Sequence, residues 1–228
     1  MTSGASKFYK MNQLIFKFPF KIKYYEQDFY VSSNNFSAYK LIESWPNWTG
    51  KWLNIFGAPG SGKTHLSKIL EKKINKLKIL NEKNIDDNSV QDLNNLDCLI
   101  IDNFKNLIDE KILYSILNQS KQLENYVLIN SLLPIKNNSF QLKDLKSRIN
   151  SFVPIGIDLP TDDLLKVIIT KSFSDKQISL NPKITEYIIK NVERSYEKIF
   201  KLIKDIDELS LSSGKSININ LIKKVLTK

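Results

Sequence analysis

From Trp52 onward the apolar residues fall into short unbroken runs separated by stretches in which they recur every three or four positions. Trp52-Leu53-Asn54-Ile55-Phe56, Lys76 to Leu80, Asp97 to Asp102, Tyr126 to Ile129 and Phe152 to Ile157 are the runs. Their length and near-continuous apolar character are those of strands buried on both faces of a parallel sheet. Between them, Leu66, Ile69, Leu70, Ile74 and Leu77 mark one face of a helix from about His65 to Ile74. Ile108 to Leu123 repeats at the same spacing, Gln141 to Lys146 is a shorter helical stretch, and Leu41 to Trp45 predicts a short helix ended by Pro46. Strands alternating with helices predict an α/β fold, a parallel sheet flanked by helices. After Leu159-Pro160 the period is helical throughout: Leu164 to Phe173, Ile184 to Lys190, Tyr196 to Leu211 and Asn220 to Leu226. Thr161 followed by Asp162 and Asp163 supplies a cap and first-turn acids, and Asn181-Pro182 signals another helix start. The expected division is an extended tail over 1–24, an α/β core over 25–159 and a small all-helical lid over 160–228.

Composition narrows the class. With 228 residues, 42% of them hydrophobic, the chain can bury one substantial core and a small appended domain. No apolar run approaches the roughly 18 residues that span a bilayer, and Lys17 interrupts Leu14-Ile15-Phe16, so a cytoplasmic protein without a membrane partner is expected. The single cysteine, Cys98, sits in an apolar run as a small core residue and suits a reducing compartment. The formal charge is +10, but the lysines are spread along the whole chain, which favours solvated faces over a DNA-binding groove. Arginine is used far more sparingly. Of 34 basic residues only Arg148 and Arg194 are arginines, and a planar fork that grips phosphate oxygens bidentately is what lysine lacks.

The strongest chemical signal is Gly57-Ala58-Pro59-Gly60-Ser61-Gly62-Lys63-Thr64, a complete phosphate-binding loop between a predicted strand and a predicted helix. Its glycines let backbone amides of Gly57, Gly60, Ser61 and Gly62 curl around an anion, and the following helix aims its positive end at the phosphates. Lys63 is expected to reach the β- and γ-phosphates, and Thr64 to hold Mg²⁺. His65 cannot build a metal site alone and is placed beside the nucleotide, at the helix start. The expected ligand is ADP or ATP.

Four further positions join this loop. Asp102 ends its strand where a second acidic partner for Mg²⁺ belongs, opposite Thr64. Asn103 follows it, and an amide is a far weaker base than the acid many such ATPases carry there, so slow or absent hydrolysis is expected. Asn130 and Ser131 either report on the γ-phosphate as sensors or form a polar strand end. Arg148, after the stretch Gln141 to Lys146, is placed to project into a neighbour's nucleotide site as a trans-acting finger, an effect worth ~10³–10⁵ in rate. Arg194 lies in the lid, where it would fold over the nucleotide.

Taken together these segments resemble the AAA+ family and, within it, the DnaA-related regulatory inactivators of the Hda (HdaA) type. GAPGSGKTHL at 57–66, LIIDNF at 99–104 with its Asp-Asn pair, LKSRI at 145–149 and DFYVSSNNFSAY at 28–39 carry the resemblance, which extends over about residues 13 to 228. On this resemblance the chain is expected to stop after the lid, without the helix-turn-helix domain or the N-terminal domain of DnaA. Ahead of the core, Gln13-Leu14-Ile15-Phe16-Lys17-Phe18 resembles the peptide with which such regulators dock on the DNA polymerase sliding clamp, Gln13 offering an amide and Leu14, Phe16 and Phe18 apolar anchors. The resemblance implies a negative regulator of replication initiation that binds ADP, is recruited by the DNA-loaded clamp, and promotes hydrolysis of DnaA-bound ATP through Arg148. Contact with DNA would run mostly through the clamp, and a homo-oligomer is compatible with the family. The alternative is an autonomous AAA+ ATPase that loads or remodels a replication protein.

Overall fold

The computed structural model describes residues 26–227, so the expected tail and its segment 13–18 lie outside the described residues. Five strands, β1 (Trp52–Gly57), β2 (Leu77–Asn81), β3 (Cys98–Phe104), β4 (Tyr126–Ser131) and β5 (Val153–Ile157), form one sheet in the order β2-β3-β4-β1-β5. Every pairing is parallel. Successive strands therefore need crossovers, and helices supply them: α1 (Phe36–Glu43) before β1, α2 (Lys63–Glu71), α3 (Asn88–Asp92), α4 (Glu110–Gln122) and α5 (Lys143–Ile149) between strands.

Alternation along each strand sends its side chains to two cores. Leu53, Ile55, Ile100 and Leu128 pack with Ala38 and Ile42 of α1 and Leu66, Ile69 and Leu70 of α2. Trp52, Leu99, Ile101, Val127 and Ile129 face the other way, onto Leu113, Ile116 and Leu117 of α4 and Leu145 and Ile149 of α5. A third cluster belongs to the helices after Pro160: α6 (Asp162–Ser174), α7 (Pro182–Asn191), α8 (Tyr196–Ser213) and α9 (Ile219–Leu226) close around Leu165, Ile169, Phe173, Ile188, Ile199, Ile206 and Ile222. Thr161 and Asn181 cap α6 and α7 through Leu164 N and Lys183 N. Among the described residues no helix is long and apolar enough to cross a membrane.

Three boundaries depart from expectation, each because of packing. The first helix spans Phe36–Glu43 instead of 41–45, since Ala38 and Ile42, four apart, are the pair that meets the sheet. Trp45 leaves the helix and packs edge-on against Trp48 and Tyr126. The helix expected over 141–146 is α5, shifted to Lys143–Ile149 because Leu145 and Ile149 share its buried face; Arg148 therefore lies within its last turn instead of following it. Strand β4 continues through Asn130 and Ser131 instead of stopping at Ile129, which makes both residues part of the sheet.

Candidate phosphate-binding site

Residues 57–64 leave the carboxyl end of β1 and turn directly into α2, which starts at Lys63. Two glycines are demanded by the backbone: Gly60 has φ +80° and Gly62 φ +97°, left-handed values that cost an L side chain ~1–2 kcal/mol. Close neighbours demand them too. A Cβ on Gly60 would lie 3.0 Å from Tyr196 Cβ of α8, and one on Gly62 2.8 Å from Phe29 Cε2. The loop is thus pressed between the lid and the segment that precedes α1. Phe29 also stacks on Tyr39 and meets His65 edge-on, with ring centroids 5.3 Å apart in the latter case, so His65 packs against Phe29 at the start of α2.

Lys63 folds over the loop, donating from Nζ to Gly57 O at 2.6 Å and Ala58 O at 2.9 Å. Burial pushes its ammonium below the ordinary lysine range, and the Asp102 carboxylate opposes that shift. Thr64 Oγ1 donates to Asp102 Oδ2 at 2.9 Å, joining the two groups expected around Mg²⁺. Asn130 Nδ2 donates to the other carboxylate oxygen, Asp102 Oδ1, at 2.9 Å and to Ser67 Oγ at 2.7 Å. A hydroxyl beside a carboxylate fits Mg²⁺, which keeps several waters and takes phosphate oxygens for the rest of its shell. No group of three His, Cys, Asp or Glu side chains gathers among the described residues, as an all-protein cage would require.

The structure separates Asn130 from its neighbour. Ser131 Oγ donates to Leu133 O at 2.6 Å and accepts from Asn54 Nδ2 at 2.8 Å, which commits it to the turn after β4. Beside these residues opens a cavity of about 610 Å³, lined by Lys63, Asn103, Lys105, Asn130, Ser131 and Asn138 among others. No acid contributes to that lining. Asn103 has φ +59° at a register shift between Ile101 and Phe104 of β3, a backbone state that asparagine tolerates better than most residues. The amide at 103 thus suits the local backbone, apart from any role as a base.

The two arginines are placed differently. Arg194 sits in the turn between α7 and α8 and pairs with Asp162 at 3.0 Å, both side chains more than half exposed. It stands two residues before Tyr196, whose Cβ touches the loop at Gly60. Arg148 Nη2 donates to Asn118 Oδ1 of α4 at 3.0 Å. Its side chain lines a cavity of about 340 Å³ with Lys51, Trp52, Asn125 and Ser151, residues at or just before the amino ends of β1, β4 and β5. The phosphate loop is at the carboxyl end of β1, roughly 16 Å away along that strand.

Several residues of this architecture had no signature in the sequence. Glu82, buried after β2, accepts amide hydrogens from Lys105, Leu107 and Ile108, and so shapes the loop that follows Asn103. Asn34 donates to Tyr196 Oη at 2.6 Å and to Asp158 O at 3.2 Å, tying the lid to the segment before α1. A lone glutamate or asparagine in a polar stretch carries no periodic signal, so only the folded chain identifies them.

Comparison with known proteins bears on this arrangement. Residues 162–226 match the family described as the Hda lid domain. Over most of its length the chain is similar to the chromosomal replication initiator protein DnaA of Buchnera aphidicola subsp. Cinara cedri, at 27% identity over 240 residues, covering 90% of this chain and 53% of that relative. The chain thus spans about half the relative's length. Among solved structures, domain III of the Thermotoga maritima replication initiation protein DnaA shares its fold with a TM-score of 0.72 at 18% identity, covering 92% of this chain and 98% of the other. AMPPCP-bound DnaA from Aquifex aeolicus gives 0.67 at 20% identity, covering 85% and 68%. The fold is that of an AAA+ module: a parallel sheet with a phosphate loop, followed by a helical lid.

Proposed function

We propose, for a chain that is a DnaA-related, Hda-like AAA+ protein, that it regulates chromosome replication initiation by promoting hydrolysis of ATP bound to DnaA. The observation that carries this is the position of Arg148. Its side chain is half-buried at the amino end of the sheet, about a strand's length from the chain's own Lys63 and Thr64, and lines a cavity with Lys51 and Ser151. In a partner's site the fork would bind the γ-phosphate as water attacks it and the bond to the β–γ bridging oxygen breaks, neutralising charge that builds in the transition state.

The chain's own nucleotide, on this proposal, is structural. ADP would lie against the amides of Gly57, Gly60, Ser61 and Gly62, with Lys63 on the β-phosphate and Mg²⁺ between Thr64 and Asp102. The AMPPCP-bound relative supports nucleotide binding at such a loop. A cavity lining without an acid supports weak turnover. Residues 1–24 would be the tail, 25–159 the nucleotide-binding core and 160–228 the lid, with Gln13, Leu14, Phe16 and Phe18 docking on the sliding clamp. The setting is cytoplasmic, at the nucleoid through the replisome.

Arg148→Ala is expected to abolish clamp-dependent stimulation of ATP hydrolysis by DnaA, measured with clamp loaded on DNA, while leaving ADP and clamp binding intact. Stimulation that survives the substitution sinks the finger assignment. The contiguous set Lys63, Thr64, Asp102 and Asn130 favours a second reading, an autonomous ATPase acting as a loader. Brisk single-turnover cleavage of ATP by the isolated chain, stimulated by DNA without clamp, is its signature.

A further inference from the structure

Arg148 is a long side chain on the last turn of α5, and a finger works only if its fork is already aimed when the partner arrives. Holding a free arginine in one rotamer costs entropy, so an anchor that meets it before docking raises the rate of the step it serves. Asn118 on α4 provides one. Its Oδ1 accepts from Arg148 Nη2 at 3.0 Å, and both side chains are half-buried where α4 and α5 pack together. Leu117 and Ile116 of α4 and Leu145 and Ile149 of α5 are buried in the same core cluster, so the two ends of the bond are fixed to rigid helices. Among the described residues only one amino group of the fork is engaged, which leaves the other amino group and Nε to meet phosphate oxygens. The open side faces the cavity of about 340 Å³, where Lys51 already pairs with Glu124 and does not compete for Asn118.

We infer that Asn118 is the positioning residue of the Arg148 finger: it presets the guanidinium across the α4–α5 packing so that the fork enters a partner's site already oriented. The inference rests on the proposed role of Arg148. A neutral acceptor suits the task, because a carboxylate at this place would hold the charge more tightly and reduce its pull on a partner's phosphate.

The test uses the full chain with clamp loaded on DNA and ATP-bound DnaA, titrating the chain to separate the maximal rate from the half-saturating concentration. Asn118→Ala is expected to lower the maximal rate about tenfold with the half-saturating concentration unchanged, and Asn118→Gln to restore part of it. A second readout does not depend on activity. With two arginines in the chain, the ¹⁵N signals of their guanidinium groups are few, and one set should show restricted rotation that disappears in both Arg148→Ala and Asn118→Ala. If Arg148→Ala abolishes stimulation while Asn118→Ala retains the full maximal rate, the positioning role is overturned and the finger stands. Should Arg148→Ala retain stimulation, the finger itself fails and the positioning role goes with it. An Arg148 signal indifferent to Asn118→Ala also overturns the inference.

Discussion

The carboxyl end of the sheet and its amino end treat their polar groups in opposite ways. At the carboxyl end Thr64, Asp102, Asn130 and Ser67 are linked by hydrogen bonds, Lys63 donates to the loop carbonyls of Gly57 and Ala58, and the loop is pressed between Phe29 on one side and Tyr196 and Phe200 on the other. At the amino end Arg148 has one side-chain partner among the described residues, Asn118, and an open cavity beside it. A site that must hold a ligand gains from many converging groups, because each removes freedom before binding. On the proposed function Arg148 serves another molecule's site, and such a group has to stay uncommitted on one side. The same sheet carries both because parallel strands put their two ends about a strand's length apart, so one end can be closed by the lid without covering the other.

The largest expected effect separates the two ends directly. Lys63→Ala should weaken ADP binding roughly 10–100-fold, the loss of a charged hydrogen bond of ~1.5–3 kcal/mol, as read by titration calorimetry. Arg148→Ala should leave that affinity unchanged, and an equal loss there would mean that the ends are not independent. Next in size, Gly60→Ala should lower thermal stability by about 1–2 kcal/mol or more, because strain at φ +80° adds to the contact with Tyr196. Gly214→Ala is the matched control, since its φ of +63° is also left-handed while its Cβ would meet nothing within 4 Å. If the two substitutions cost the same, the lid does not press on the loop.

Tyr196→Phe tests the tie between the lid and the segment before α1 and removes two hydrogen bonds, one accepted from Asn34 Nδ2 and one donated to Asp158 O, each worth ~0.5–1.5 kcal/mol at neutral pH. Burial pushes the Tyr196 hydroxyl up to about 12. Above pH 10 the unfolded chain releases this proton while the folded chain keeps it, so the folded form binds more protons and stability falls as pH rises. The advantage of wild type over Tyr196→Phe in urea unfolding should therefore be complete below pH 10 and shrink toward about pH 12. A gap that stays constant across that window would show that the hydroxyl is not buried in the way described. The smallest effect belongs to Arg194→Ala. Its pair with Asp162 is exposed and worth at most ~1 kcal/mol of stability by denaturant titration. A tenfold loss of ADP affinity in the same variant would show that Arg194 leaves Asp162 for the nucleotide, which would add the lid to the carboxyl-end site.

Much of the fold could be read from the chain because buried strands and amphipathic helices write their environment into consecutive residues. The five strands, the four helices after Pro160 and the caps at Thr161 and Asn181 stand where the apolar runs and capping signals predict them, within a few residues. The phosphate loop was legible for the same reason, since glycines, lysine and threonine at fixed spacing act on one another locally. Errors fell where a long-range contact chose between similar local options. Trp45 looks helical by pattern, yet the ring cluster with Trp48 and Tyr126 draws it away from α1. Ile149 reads as a link to the next strand, yet it extends the buried face of α5 and carries Arg148 into the helix.

Local spacing was enough to establish a phosphate loop on a parallel sheet with a helical lid, because those features depend on residues a few positions apart. It was silent on Phe29 against Gly62, Asn34 against Tyr196, Glu82 against the amides of 105 to 108, and Asn118 against Arg148. Each of these joins residues tens of positions apart or more, and a single polar side chain leaves no periodic trace by which its distant partner can be found. Only once the sheet order brings α4 beside α5 and the lid over the loop do these groups come within hydrogen-bond or van der Waals distance, and that proximity assigns them their work.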